Sequence, residues 1–380
     1  MLGAAEGVLL DPFVGVATTG SWAIQSGYSF RGIETHPFVA EIASLKVRPV
    51  PKQFGQRLLA AADAMVGAVK GLKVKTGLET PLVRHSFSQA TLADLVALRE
   101  MIDDVQAVLK PYLRCALAAT LRDVASVKVG WPYQRPTVAR TPVCRAAPKR
   151  FRDRVQWLAD DLTKIPLDTD AKIVAGDARK RASWQAALRG AKATACLSSP
   201  PYLNNFDYAD ATRLEVYFFG IARSWSELCE IVRADMVAAT TQQSVLSRAN
   251  SATIWLEKEF PQTAAESRKL CERLSEQRRL RPRGKEYDQT LPAYLADIAA
   301  VLRNAYEFLE TDARLAWVIG DSAPYGVYID TPTLISQLAV QIGFTPIENL
   351  LLRPRGLRWG SNGTRHKMAL AERLIVFRRA

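Results

Sequence analysis

The 380-residue chain has no apolar run near the roughly 18–20 residues that a membrane-spanning helix needs. Its first residues also lack the charged-then-apolar pattern of a signal peptide. Together these absences give a cytoplasmic protein as the expectation. Cys115, Cys144, Cys196, Cys229 and Cys271 lie far apart, without a C-x-x-C pair. An odd, scattered set argues for reduced thiols and against a disulfide framework or a zinc site, so no metal is expected. There is no internal repeat, no low-complexity tract and no G-x-G-x-x-G glycine pattern, which weakens a dinucleotide reading.

What the chain does carry is basic charge. It has 51 Lys and Arg against 38 Asp and Glu, a net charge of +13. That balance favours a polyanionic partner. Two stretches concentrate it. "RPTVARTPVCRAAPKRFRDR" (135–154) has seven Lys or Arg against one Asp, and "RKLCERLSEQRRLRPRGK" (268–285) has eight against two Glu. Lys149, Arg150, Arg278, Arg279, Arg281 and Arg283 are the candidates for phosphate contact. A solvated helix face or a linker accounts for such runs equally simply.

Apolar periodicity gives the architecture. "GVLLDPF", "SFRGIE", "AKIVAGD", "ATACLSS", "RLAWVIGD", "TPIENLLLR" and "RLIVFRR" read as strands. "SWAIQSGY", "LPAYLADIAAVLRNAYEFL" and "TPTLISQLAVQIGF" read as helices between them. This alternation predicts an α/β, doubly wound, mostly parallel sheet. Residues 1–50 supply its first part, and 51–165 interrupt it with two or three long helices and a proline-broken basic linker. Residues 166–221 and 291–380 complete the sheet, and 222–290 form a basic helical region suited to nucleic-acid recognition.

In doubly wound sheets ligands bind beyond the carboxyl ends of the strands. Three features fall there: Asp11 to Gly15, Asp177, and Ser199 to Tyr202. "DPFVGVATTG" brings small residues between a strand and a helix N-terminus, where backbone approaches a ligand closely. A plain turn with Thr18 or Thr19 as the helix cap is the alternative. Glu34 ends the second strand, where an acid serves ribose hydroxyls or stands solvated beside Arg31. Asp177 is equally compatible with ordinary turn chemistry. His36 has no ligand-type neighbour in sequence and reads as structural.

"SSPPY" is stiff and poor in donors. An exocyclic amine on cytosine or adenine is a weak nucleophile until acceptors hold its N–H bonds and turn its lone pair outward. The Ser199 hydroxyl and the Pro200 carbonyl, fixed by Pro201, suit that task, and Tyr202 offers a ring for stacking an extruded base. Taken alone, the tetrapeptide reads first as a proline turn with a packing tyrosine.

The combination resembles the bacterial S-adenosylmethionine-dependent DNA amino-methyltransferases, which modify cytosine N4 or adenine N6. The resemblance lies in "LLDPFVGVATTG", "GIETHP", "VAGDAR" and "CLSSPPYLNNFDYADATRLEVYFFG". It continues in "LAWVIGDS", "LLRPRGLRW" and "HKMALAERLIVFRR", and covers about half the chain. It implies a Rossmann-like methyltransferase sheet with helical insertions, S-adenosylmethionine as cofactor and DNA as partner. Asp11, Phe13, Gly15 and Thr18 would lie along the cofactor's methionine and ribose side. Glu34 would take the ribose hydroxyls, Asp177 the adenine amine, and Ser199, Pro200, Pro201 and Tyr202 the target base.

Serine before Pro-Pro-Tyr is commoner in the cytosine-N4 branch, which is therefore the first expectation. Adenine N6, then RNA bases, then a catalytically inactive nucleic-acid-binding subunit follow in that order. A restriction or defence-system partner belongs with the family. Two departures stand out: about seven residues precede the first strand, where the family carries a closing segment, and Ala17 replaces a glycine. Without a Pro-Cys dipeptide, and with Cys196 inside a strand, cytosine-C5 chemistry is disfavoured.

Overall fold

The computed structural model describes residues 7–129, 135–204, 206–243, 246–355 and 368–380. Its strands are β1 (Val8–Asp11), β2 (Ser29–Glu34), β3 (Val127–Lys128), β4 (Arg135–Ala139) and β5 (Ala171–Ala175). They continue with β6 (Ala193–Ser198), β7 (Leu309–Gly320), β8 (Phe344–Arg355) and β9 (Leu370–Arg379). The chain divides into two compact units. One comprises Met1–Thr35, Lys172–Asp207 and Asp235–Ala380, and the other His36–Ala171 with Tyr208–Ala234.

The first unit is built on a seven-stranded sheet in the order β5-β2-β1-β6-β7-β9-β8. β1 runs parallel to β2 and β6, and β6 parallel to β7. β9 is reversed and pairs antiparallel with both β7 and β8. This is a Rossmann-like, doubly wound α/β fold. Strand order turns around at β1, between β2 and β6, and that switch point is where such sheets open a ligand crevice.

Residue alternation explains why both faces are buried. Leu10 and Cys196 point into the large core with Tyr294, Leu295, Trp317 and Leu334. Leu9, Phe30 and Ala195 alternate with that set and are also buried. The Tyr287–Phe308 helix supplies a large part of the apolar surface packed into this core, as the spacing of its apolar residues predicts.

The second unit is mainly helical. Its long helices are Phe54–Ala68, Gln89–Asp104, Lys110–Val124 and Ala147–Leu162. Leu58, Leu95, Leu113, Leu117, Phe151 and Phe218 form its core. The Ser88 hydroxyl caps one helix by accepting from Thr91 N at 3.2 Å. The expected linker after Val127 is more ordered than its prolines suggest. It includes the β3–β4 ribbon and the start of a helix with Pro148 in its first turn, where a missing N–H costs no hydrogen bond. Residues 131–134 of that linker, Asn205 after the Pro-Pro-Tyr motif, and residues 356–367 in the closing motifs lie outside the described residues. Among the described residues no helix is long and apolar enough to cross a membrane.

Candidate active site

β1 ends on Asp11, whose carboxylate is almost wholly buried. Oδ1 accepts from Phe13 N at 3.0 Å and from the Ser198 hydroxyl at 2.5 Å. Burial pushes the Asp11 carboxyl up to about 6, while these bonds and one from Thr19 act against the rise. The turn then needs left-handed backbone twice. Gly15 takes φ 53°, with open space where a side chain would stand, and its N–H donates to Glu34 Oε2 at 2.8 Å. Ala17 takes φ 58° and ψ 44°, the conformation that a glycine holds at no steric cost. The Thr18–Gln25 helix starts there without a side-chain cap, and Thr18 is exposed.

Glu34 ends β2 beside this loop. Its carbonyl accepts from Gly176 N at 2.9 Å, which brings the end of β5 alongside. Asp177 follows, buried and gripped by Arg179: Oδ1 accepts from Arg179 N and Nε, each at 2.9 Å, and Oδ2 from Nη2 at 2.9 Å. Arg179 reaches on to Asp297 at 3.1 Å.

Beyond β6 the chain turns through Ser199-Pro200-Pro201-Tyr202. Pro200 is buried and Ser199 exposed. The Ser199 Oγ lies 3.4 Å from both the Tyr202 hydroxyl and the Val318 carbonyl, loose contacts for a hydroxyl. The Tyr202 ring is fixed from one side. The Arg355 guanidinium sits 4.9 Å from its centroid, and Arg355 Nη1 donates to the Asp321 carbonyl at 3.0 Å. Burial pushes the Tyr202 hydroxyl upward, so the ring is presented neutral. Gly320 leaves room for this arrangement: a Cβ there would meet Arg355 and stand 2.8 Å from Tyr202 Cδ2.

The sheet thus places Asp177, Glu34, the Asp11–Gly15 loop and Ser199–Tyr202 at the ends of four neighbouring strands. Phe13 packs edge-on to Trp317 of β7 at 6.2 Å. The residues also fit S-adenosylmethionine chemically. They give acceptors for hydroxyls and an amine at Glu34 and Asp177, and an open glycine turn at the start of a helix. Asp177 already carries the Arg179 guanidinium, so an amine there would share it.

Several contributors escape sequence reading. Ser198, the first serine of the pair, is the buried one and ties β6 to β1. Alternation along β6 is the signal that separates it from Ser199. Asp297 comes from a distant helix outside every motif, while Arg179 and Arg355 stand inside "VAGDAR" and "LLRPRGLRW", where the sequence alone assigns them no role. The basic candidates fall in both units. Arg278 is paired with Asp288 at 3.1 Å, and Arg281 lies 4.3 Å from the Tyr325 ring centroid, while Arg279 and Arg283 are exposed. In the helical unit Lys149 is exposed, but Arg150 is committed to Asp123 at 2.8 Å and stacks on Trp157.

Two side chains are unsuited to the chemistry. His36 is buried, with Nε2 2.7 Å from the Thr212 hydroxyl, and burial lowers its pKa to about 4, so it is neutral at physiological pH. Cys196 is fully buried and its thiol is pushed far upward by burial, which leaves no thiolate to react.

No protein-family model matches the chain. Two curated proteins are similar to it, each described as Type II methyltransferase M.AvaI, from Nostoc sp. (strain PCC 7120) and from Anabaena variabilis. Each is 25% identical over 189 residues, 48% of this chain and 37% of the relative. The chain therefore matches little more than a third of those relatives' length. Among solved structures, the rRNA methyltransferase aviRa from Streptomyces viridochromogenes aligns over the whole of this chain and 78% of its own, with a TM-score of 0.32 at 11% identity.

Proposed function

We propose that the chain is an S-adenosylmethionine-dependent methyltransferase that acts on the exocyclic amine of a flipped base in DNA, cytosine N4 in the first instance. The carrying observation is the placement of Ser199-Pro200-Pro201-Tyr202 at the strand-order switch point, beside the Asp11–Gly15 turn whose backbone is pinned to Glu34. The two curated relatives are described as methyltransferases, which supports the transfer chemistry. The net charge of +13 supports a nucleic acid as substrate.

When bound, S-adenosylmethionine supplies an electrophilic methyl group. Glu34 would hold ribose hydroxyls and Asp177 the adenine amine. The loosely held Ser199 Oγ would accept an N–H of the target amine, orienting the nitrogen lone pair toward the methyl carbon. Transfer of that methyl group from sulfur to the amine nitrogen would leave one amine proton to be lost to solvent, and the Ser199 hydroxyl would hold the remaining N–H. The Tyr202 ring, backed by Arg355, gives the base a stacking face. The stiff Pro200-Pro201 turn would place the Ser199 backbone beforehand, so that only the hydroxyl rotor has to turn toward the changing nitrogen.

Ala17 bears on whether the loop is competent. It adopts the left-handed backbone of the glycine it replaces, so the turn is kept. The test is methyl transfer from labelled S-adenosylmethionine to duplex DNA, single-stranded DNA and RNA. Label in DNA supports the reading, label confined to RNA moves the substrate, and no cofactor binding removes the enzyme reading.

A further inference from the structure

A line of hydrogen bonds runs behind the site from its cofactor end to its base end. Asp177 holds Arg179, and Arg179 Nη1 donates to Asp297 Oδ1 at 3.1 Å. Asp297 Oδ2 accepts from Ala238 N at 2.8 Å and from Arg248 Nη2 at 2.5 Å. The next carbonyl, that of Ala239, accepts from Asn204 N at 2.6 Å. Asn204 stands two residues after Tyr202 and takes a left-handed φ of 56°. The Gln243 side chain fixes the same segment, its Oε1 accepting from Ala239 N at 3.0 Å and Thr240 N at 3.1 Å.

Every link has a physical reason to be stiff. Asp297 is largely buried on the long Tyr287–Phe308 helix, and it accepts from two guanidinium groups and one backbone amide. Ala238 and Ala239 are buried, so their backbone groups have protein partners rather than water. Charge-assisted bonds of this kind are the strong ones. The Pro200-Pro201 pair, with both φ angles fixed, narrows the ways in which the turn can absorb a displacement that reaches it from Asn204 through Leu203 and Tyr202.

We infer that Asp297 is a positioning residue that couples the Asp177 end of the site to the Ser199–Tyr202 turn through Arg179 and the Ala238–Ala239 segment. The identity of the ligand in this coupling rests on the methyltransferase reading above. An adenine amine engaging Asp177 competes for carboxylate oxygens that now serve Arg179. The guanidinium then leans more on Asp297, and the load on Ala238 and Asn204 changes with it. Cofactor occupancy thereby sets the order of the base-holding turn, and by reciprocity base occupancy alters cofactor affinity.

Amide hydrogen exchange reads this directly, with S-adenosylhomocysteine as the probe and calorimetry on the same samples. In the wild-type protein, ligand should slow exchange at Ala238 and Asn204 about tenfold, beside the direct protection of residues 13–19. In Asp297→Asn, S-adenosylhomocysteine should still bind and still protect residues 13–19, while the added protection at Ala238 and Asn204 disappears. Asp297→Glu should restore part of it, which a merely destabilised helix would not do. Binding with no change at Ala238 and Asn204 in the wild-type protein overturns the coupling, as does unaltered protection there in Asp297→Asn. The wild-type comparison suffices if the variant does not fold. Absence of binding by calorimetry is a different result: it defeats the functional reading, and the coupling with it.

Discussion

The Ser198 hydroxyl donates to Asp11 Oδ1 at 2.5 Å, joining the ends of β6 and β1 across the strand-order switch point. The bond makes one frame of two motifs 187 residues apart in sequence. It also holds a carboxyl that burial has pushed up to about 6.

That raised value carries a sign. The unfolded Asp11 ionises near the ordinary carboxyl value of 3.8, whereas the folded one stays protonated until about 6. Its contribution is therefore fully present below pH 3.8 and is lost as pH rises toward 6, a change of about 3 kcal/mol at most. Asp11→Asn should remove this component, so the variant gains stability relative to wild type between pH 4 and pH 6. Denaturant titrations across that range check it, and a constant difference would show that Asp11 does not titrate as described.

Ser199→Ala should lower kcat for methyl transfer by about 10²-fold, the size of effect seen when one preorganised partner is removed. S-adenosylmethionine affinity should stay within about twofold, because the Ser199 hydroxyl is assigned to the target base and not to the cofactor. Single-turnover rates and calorimetry separate the two quantities.

Gly320→Ala tests the support behind Tyr202. Its new Cβ would meet Arg355 and stand 2.8 Å from Tyr202 Cδ2, so the guanidinium and the ring edge must shift. A loss of kcat/KM of about tenfold is expected, with cofactor affinity retained. Equal losses in cofactor affinity and turnover would place the damage elsewhere.

Much of this was legible in the sequence, and the reasons are specific. β1, β2 and β6 end in Asp11, Glu34 and the Pro-Pro turn, and apolar runs cut short by such residues announce strand ends. The site's supports were not legible. Arg355 reaches Tyr202 from a strand near the other end of the chain, and Asp297 sits on a helix whose pattern reports only its apolar face. Sequence position also could not tell Arg278, spent on Asp288, from Arg279, which is exposed.

The exposed arginines bear on the polyanion. Arg279→Glu with Arg283→Glu should weaken DNA binding and reduce the salt slope by about 0.9 for each phosphate no longer neutralised. Arg150→Glu should instead destabilise the helical unit, since it breaks the ion pair with Asp123. Titrations at several salt concentrations distinguish the two, and an unchanged slope would remove the 279–283 stretch from the interface.

Ala17→Gly should leave stability within about 1 kcal/mol of wild type, because relief of a left-handed alanine is offset by the added chain entropy of glycine and by loss of a fully buried methyl group. A larger fall in Tm would mean that packing of the methyl group outweighs the backbone strain.

Nucleoside analysis of DNA treated with the protein and methyl-labelled S-adenosylmethionine is the most direct measurement of the proposed transfer. Label should appear in N4-methyldeoxycytidine and fall about 10²-fold at equal times in Ser199→Ala. Label in no nucleoside of DNA or RNA, from protein shown to be folded, would contradict the methyltransferase reading.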